Sequence, residues 1–176
     1  GGGGNAHLMA FDTDQATVYQ VRLGHRHQEV QEVVPQNYQG VMGTDRGRSY
    51  EDKSFRWVKQ QKCLAHLQRT LSEVLARKKG RARDLAEGTR ELLRLAVRLW
   101  EEYHWRSRGE FDQRVPEVRF ALSYHLRDRP LKDQDNQKLL RMLRRYHQRG
   151  ELLRFLEQPE VELTNNRVER MLRPAV

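Results

Sequence analysis

Hydrophobic positions divide the chain into a strand-patterned beginning, a long helix-patterned middle and a short charged end. Between His7 and Asp12 the apolar run Leu8, Met9, Ala10 and Phe11 marks a short buried strand. In Thr17–Leu23, Tyr19, Val21 and Leu23 alternate with Val18 and Gln20, the pattern of a half-buried strand rich in β-branched and aromatic side chains. Asp12-Thr13-Asp14-Gln15 supplies turn chemistry between them, so a hairpin is expected. Gly24–His27 reads as a loop entering a short amphipathic helix with Val30, Val33 and Val34 at helical spacing, stopped by Pro35. Tyr38 to Thr44 reads as a strand that delivers Asp45 at its carboxyl end, with Gly47 turning the chain away, and another short strand is expected around Lys59–Cys63.

After Cys63 the period becomes helical. Leu64, Leu67, Leu71, Val74 and Leu75 form a core-facing stripe, and Lys78-Lys79-Gly80-Arg81 is a basic break. From there to about Gln158 only helices are predicted. Their stripes are Leu85, Leu92, Ala96, Leu99 and Tyr103, opposite Arg90, Arg94 and Arg98; then Val115, Val118, Leu122 and Leu126; then Leu139, Leu140, Leu143 and Tyr146. A short fourth stripe holds Leu152, Leu153, Phe155 and Leu156, and Gly109, Pro130, Gly150 and Pro159 are the punctuation. No apolar run approaches the roughly 20 residues that a membrane-spanning helix needs. Cys63 is the single cysteine, which excludes an internal disulfide and fits a reducing, cytoplasmic setting.

Charge narrows the partners. There are 33 Lys and Arg against 24 Asp and Glu, a formal net charge of +9, so a polyanion is the natural ligand; a helical surface with a solvated basic face is the plainer account. The same two accounts apply to the arginines of the helical stretch and to Trp57, Trp100 and Trp105, which would line a DNA path if exposed. His25 and His27 resemble half a metal site but lack a third ligand, and Cys63-x-x-His66 lacks a second cysteine. A solvated loop and a buried cysteine are the better readings.

The end of the chain holds its densest chemistry. Asn166 is a good N-cap, and Glu169 then falls at the third helical position among Arg167, Arg170 and Arg173. Two readings fit this spacing: Glu169 as the reciprocal half of a capping box, or Glu169 aimed into a cleft as a metal ligand with Arg173 near a phosphate. Asp45 is similarly open, since Thr44-Asp45-Arg46-Gly47 is also a common turn.

Thr164-Asn165-Asn166-Arg167-Val168-Glu169-Arg170-Met171-Leu172-Arg173-Pro174 resembles the last catalytic motif of the DDE-type transposases of the insertion-sequence-66 family, a Thr-Asn-Asn-x-x-Glu-Arg-x-Leu-Arg-Pro run that carries the final acid. Gly40–Asp45 followed by Tyr50, and Gln61–Arg69, agree with the family in the same order. The resemblance spans essentially the whole chain and is loosest across the basic middle. It implies an α/β (α+β) fold: a ribonuclease-H-like sheet domain interrupted by a large all-helical insertion. Residues 1–75 would be the first part of the catalytic core, 76–158 the insertion, and 159–176 the return to the core with the helix bearing the last acid.

The resemblance further implies Asp45 as the second acid and Glu169 as the third, holding Mg²⁺ (or Mn²⁺) for DNA strand cleavage and strand transfer. It turns His66, Arg69, Asn165, Asn166, Arg170 and Arg173 toward DNA. The implied partners are double-stranded DNA (transposon ends and target) and further copies of the chain, in a cytoplasmic, nucleoid-associated setting. The family's first Asp would lie on a strand before residue 1. The opening glycines, without an initiating Met, and the stop at Val176 are expected to be truncations. That leaves a competing class, a non-catalytic DNA-binding or assembly fragment of a transposase. A helical protein-interaction module unrelated to DNA is a third.

Overall fold

The computed structural model describes residues 7–12, 17–22, 34, 38–45, 50–51, 53–103 and 107–158. The expected hairpin is present: β1 (His7–Asp12) pairs antiparallel with β2 (Thr17–Arg22), His7 opposite Arg22 and Asp12 opposite Thr17. β3 (Val41–Thr44) runs parallel to β4 (Lys59–Lys62), with Val41 opposite Lys59 and Thr44 opposite Lys62. The described residues thus hold two separate two-stranded sheets. β3 begins later than the sequence suggests, because Gly40 forms a bend against the Tyr38 side chain, so close that a Cβ there would overlap the phenol oxygen. Of the helix expected across Val30–Val34, only Val34 lies within the described residues; it packs with Met42 and Tyr50 on the buried pair Phe55 and Val58.

Five α-helices follow: α1 (Leu64–Arg77), α2 (Asp84–Glu102), α3 (Arg108–His125), α4 (Gln134–Gln148) and the single turn α5 (Arg154–Glu157), with a 3₁₀ turn at Gly80–Arg83 filling the basic break. All five predicted stripe residues of α1 are buried, as are all four of α4. In α2 the stripe is Leu85, Ala86, Thr89, Leu93, Ala96 and Leu99, so Leu93 replaces Leu92, and Leu92 and Tyr103 pack at its margin. The polar Thr89 hides this stripe from a hydrophobicity pattern. Its hydroxyl donates to the Leu85 carbonyl at 2.7 Å, which removes the cost of burying it. In α3, Phe111 joins Val118 and Leu122 in the core and Val115 is half-buried; the helix runs through Pro116.

One continuous apolar core extends from Leu64 in α1 to Leu156 in α5. Each fully buried Leu or Phe contributes about 1.5–3 kcal/mol, against about 0–1 kcal/mol for an exposed ion pair, so this core rather than the basic surface holds the helices together.

The end of α4 sends the chain back to the sheet. Gly150 has φ +73°, the left-handed conformation that favours glycine, and the Gly150 and Glu151 N–H groups donate to the His147 and Tyr146 carbonyls, both at 2.9 Å. The reversal lays Glu151–Leu153 along the edge of β4 away from β3. Lys62 N–H donates to the Glu151 carbonyl at 2.8 Å, the Gln61 side-chain amide to the Leu152 carbonyl at 3.1 Å, and Phe155 N–H to Gln61 Oε1 at 3.2 Å. The result is a mostly helical α+β arrangement. Among the described residues no helix is long and apolar enough to cross a membrane.

Candidate functional site at the end of the parallel strands

Asp45 is half-buried at the carboxyl end of β3, as its position after a short strand predicts. Thr44, 1 % exposed, anchors it: the Thr44 carbonyl accepts from Cys63 N–H at 2.7 Å and its hydroxyl donates to Gln60 Oε1 at 3.0 Å. These bonds set Asp45 beside the junction of β4 and α1, on backbone that both strands hold in place. Tyr50 is close enough to feel the Asp45 charge. Burial, and then that charge, push its phenol up to about 12, so it remains protonated across the ordinary pH range.

Behind Asp45 lies a buried network that the sequence pattern conceals. β4 reads Lys-Gln-Gln-Lys, yet Gln60, Gln61 and Lys62 are all buried. Each finds partners. Gln60 accepts from Thr44 and donates to the Tyr50 carbonyl at 3.0 Å, and Gln61 bonds the returning chain. Lys62, with no exposed surface, places its ammonium 2.9 Å from Glu51 Oε1, 3.2 Å from Gln60 Oε1, 3.5 Å from the Asp45 carbonyl and 3.9 Å from Glu151 Oε2; it lies 4.8 Å from the centre of the Tyr146 ring. Arg145 and Arg149 also reach Glu51, at 3.4 and 3.1 Å.

The two carboxylates of this network differ. Burial works to raise Glu51, but the hydrogen bond and charge of Lys62, with Arg145 and Arg149, hold it below the usual carboxylate range. Glu151 is raised, because burial outweighs its more distant cations. A network of this kind ties Asp45's strand, the Glu51 segment and the end of α4 into one unit.

Of the other residues singled out from the sequence, His66 and Arg69 stand on the first two turns of α1, directly after the junction with Asp45. His66 is half-buried and its carbonyl accepts from the Thr70 hydroxyl at 3.1 Å, whereas Arg69 is exposed. Cys63 is buried, as expected, and as the single cysteine it forms no internal disulfide. Glu169, Asn165, Asn166, Arg170 and Arg173 lie outside the described residues, as do His25 and His27. No group of three or more potential metal-ligating side chains occurs among the described residues. Lys62, Glu51 and Glu151 carry no motif. Their one signal in the sequence is an all-polar strand running directly into the apolar stripe of α1.

Fold, charge and site define a class: a basic α+β protein in which a short parallel strand pair presents a carboxylate at its end and a helical core buttresses the strands from behind. The family follows from the chain as a whole. Residues 4–176 match the family described as Transposase IS66 family, so this chain belongs to the IS66 transposases and has a transposase-related role. No curated protein and no solved structure matches it.

Proposed function

We propose that the chain is the catalytic part of a DNA transposase, in which Asp45 and Glu169 are two of the acids that act on a DNA phosphodiester. In this reading residues 1–75 and 159–176 form a ribonuclease-H-like sheet domain around the helices of residues 76–158. One observation carries it: within a chain matched to the family from end to end, Asp45 is presented at the carboxyl end of a parallel strand, where clefts form in sheets of this kind. The return of the chain lends support. Asp45 and Glu169 are 124 positions apart, and the docking of Glu151–Leu153 on β4 returns the chain, after the helices, to the sheet that carries Asp45.

The hard carboxylate oxygens of Asp45 fit Mg²⁺ or Mn²⁺, and with Glu169 they would hold such an ion. When bound, the ion supplies neutralisation of phosphate charge and activation of the attacking oxygen. The protein's own contribution is rigidity: Thr44 fixes the strand end, Lys62 ties it to the helical core, and Tyr50 keeps its proton beside the carboxylate. His66 and Arg69, with Asn165, Asn166, Arg170 and Arg173, would contact DNA, and copies of the chain would assemble on transposon ends.

The test is strand cleavage of transposon-end DNA by the full-length transposase that carries these residues. Asp45→Asn and Glu169→Gln each reduce Mg²⁺- or Mn²⁺-dependent cleavage to background while duplex binding is retained. Cleavage that survives Glu169→Gln removes the terminal motif from the catalytic set. Duplex binding with no cleavage by that protein identifies a non-catalytic DNA-binding or assembly role instead.

A further inference from the structure

Against the parallel strands, between residues of Tyr50–Gln60 and the turn from α4 to α5, opens a cleft of about 530 Å³. That volume lies in the roughly 300–1,000 Å³ range of small-ligand sites, far too narrow for a duplex to enter. Its wall is shared with the site: Tyr50 and Gln60 line it, and Gln60 is bonded to Thr44 next to Asp45.

The charges are not evenly available. Arg149 is engaged by Glu51, and Arg154 by Glu157 and the Arg149 carbonyl. Arg56 and Lys59, both exposed on this cleft, make no ion pair among the described residues. Between them in sequence stands Trp57, also lining the cleft, with 36 % of its surface exposed in a protein that buries most of its large apolar side chains. Deeper in, Glu151 is only 6 % exposed, and its Oε2 accepts no hydrogen bond among the described residues.

Each feature matches one part of a nucleotide. Exposed cations at the mouth suit a phosphate, an exposed indole offers a stacking face, and a buried carboxylate oxygen suits the exocyclic amine of a base. The acidic floor also forbids the reverse orientation, since a phosphate placed there would meet Glu151 and Glu51. We propose that this cleft binds one unpaired nucleotide of a DNA strand, its base stacked on Trp57 and its phosphate held by Arg56 and Lys59. The proposal deepens the transposase reading and rests on it: an unpaired nucleotide held against the strands that carry Asp45 is what a strand end separated from its complement would present.

The test uses the 176-residue chain, a short fluorescein-labelled oligodeoxycytidylate and a blunt duplex of equal length. Loss of one stacked base weakens single-strand binding by roughly 5-fold or more in Trp57→Ala, with duplex binding unchanged. Trp57→Phe, which keeps a ring and the fold, retains single-strand affinity but loses the tryptophan quenching that the oligonucleotide causes in the parent protein. Arg56→Gln and Lys59→Gln each flatten the log–log salt dependence of single-strand binding by about 0.7.

Equal weakening of both DNA forms in Trp57→Ala, no weakening of either, or quenching that survives in Trp57→Phe overturns the cleft assignment. A parent chain that binds duplex but not single strands overturns it too, and leaves the transposase reading standing. A chain that binds neither removes both.

Discussion

At the scale of single residues, the unusual feature is a lysine with no exposed surface, placed one residue before an apolar helix stripe. A buried ion pair is weak evidence for stability, but removing one partner leaves the other charge uncompensated, at about 3–5 kcal/mol. The two ends of this pair should therefore respond unequally. Lys62→Met leaves Glu51 with Arg145 and Arg149, whereas Glu51→Gln leaves Lys62, among the described residues, with Glu151 at 3.9 Å, neutral oxygens and the Tyr146 ring. Glu51→Gln is expected to cost about 3 kcal/mol or more, and Lys62→Met at least about 1 kcal/mol less, measured by urea denaturation. A larger loss from Lys62→Met would mean that Glu51 depends on the lysine rather than on the arginines. None of this was legible in the sequence. Lys-Gln-Gln-Lys looks like a solvated strand, and its burial depends on acceptors from Glu51, Glu151 and the returning chain that only the folded structure supplies.

At the scale of elements, apolar periodicity located the strands of the hairpin and the helices of the middle, and it named most of the core correctly, although Leu152 and Leu153, expected in a helical stripe, lie along β4 ahead of α5. It erred where packing is made by something other than a large apolar side chain. Thr89 concealed the true stripe of α2, and Gly88, beside it, conceals a contact. A Cβ at Gly88 would overlap the His125 ring, with Nδ1 only 2.8 Å away, and His125 Nε2 hydrogen-bonds the Leu85 carbonyl at 3.0 Å. Burial, aided by Arg129 and Arg127, holds this imidazole below its usual range despite that bond.

Gly88→Ala thus sets two effects against each other: a gain of about 1 kcal/mol in helix propensity and a packing loss of about 1–3 kcal/mol. The loss should win in the parent protein. In a His125→Ala background the ring is gone and the same change should stabilise. A double-mutant cycle on melting temperature reads the reversal, and a Gly88→Ala that stabilises in both backgrounds would show that α2 and α3 do not meet through this histidine. Of the site, the sequence supplied Asp45 and the position of α1 behind it, because strand ends and helix starts have local signatures. The cleft and the charge network, assembled from segments about 100 residues apart, have none.

At the scale of the whole molecule, the helices form one core and the parallel strands are completed from far along the chain. The Gln61 amide reaches Leu152 across 91 positions, and Lys62 N–H bonds the carbonyl of Glu151. Contacts this distant in sequence form late, because loop closure must precede them, whereas α2, α3 and α4 are built from local contacts. Pulse-labelled hydrogen exchange during refolding should show the Lys62 amide protected after the amides of those helices; simultaneous protection would mean that the sheet edge closes without waiting for them. A ribosome makes the order stricter still. Asp45 leaves the exit tunnel before the segment that closes the edge of its sheet, which follows more than 100 residues later. During synthesis the strand that carries Asp45 is therefore finished only after the helices between have emerged, and until then the nascent chain holds this strand end with one edge open.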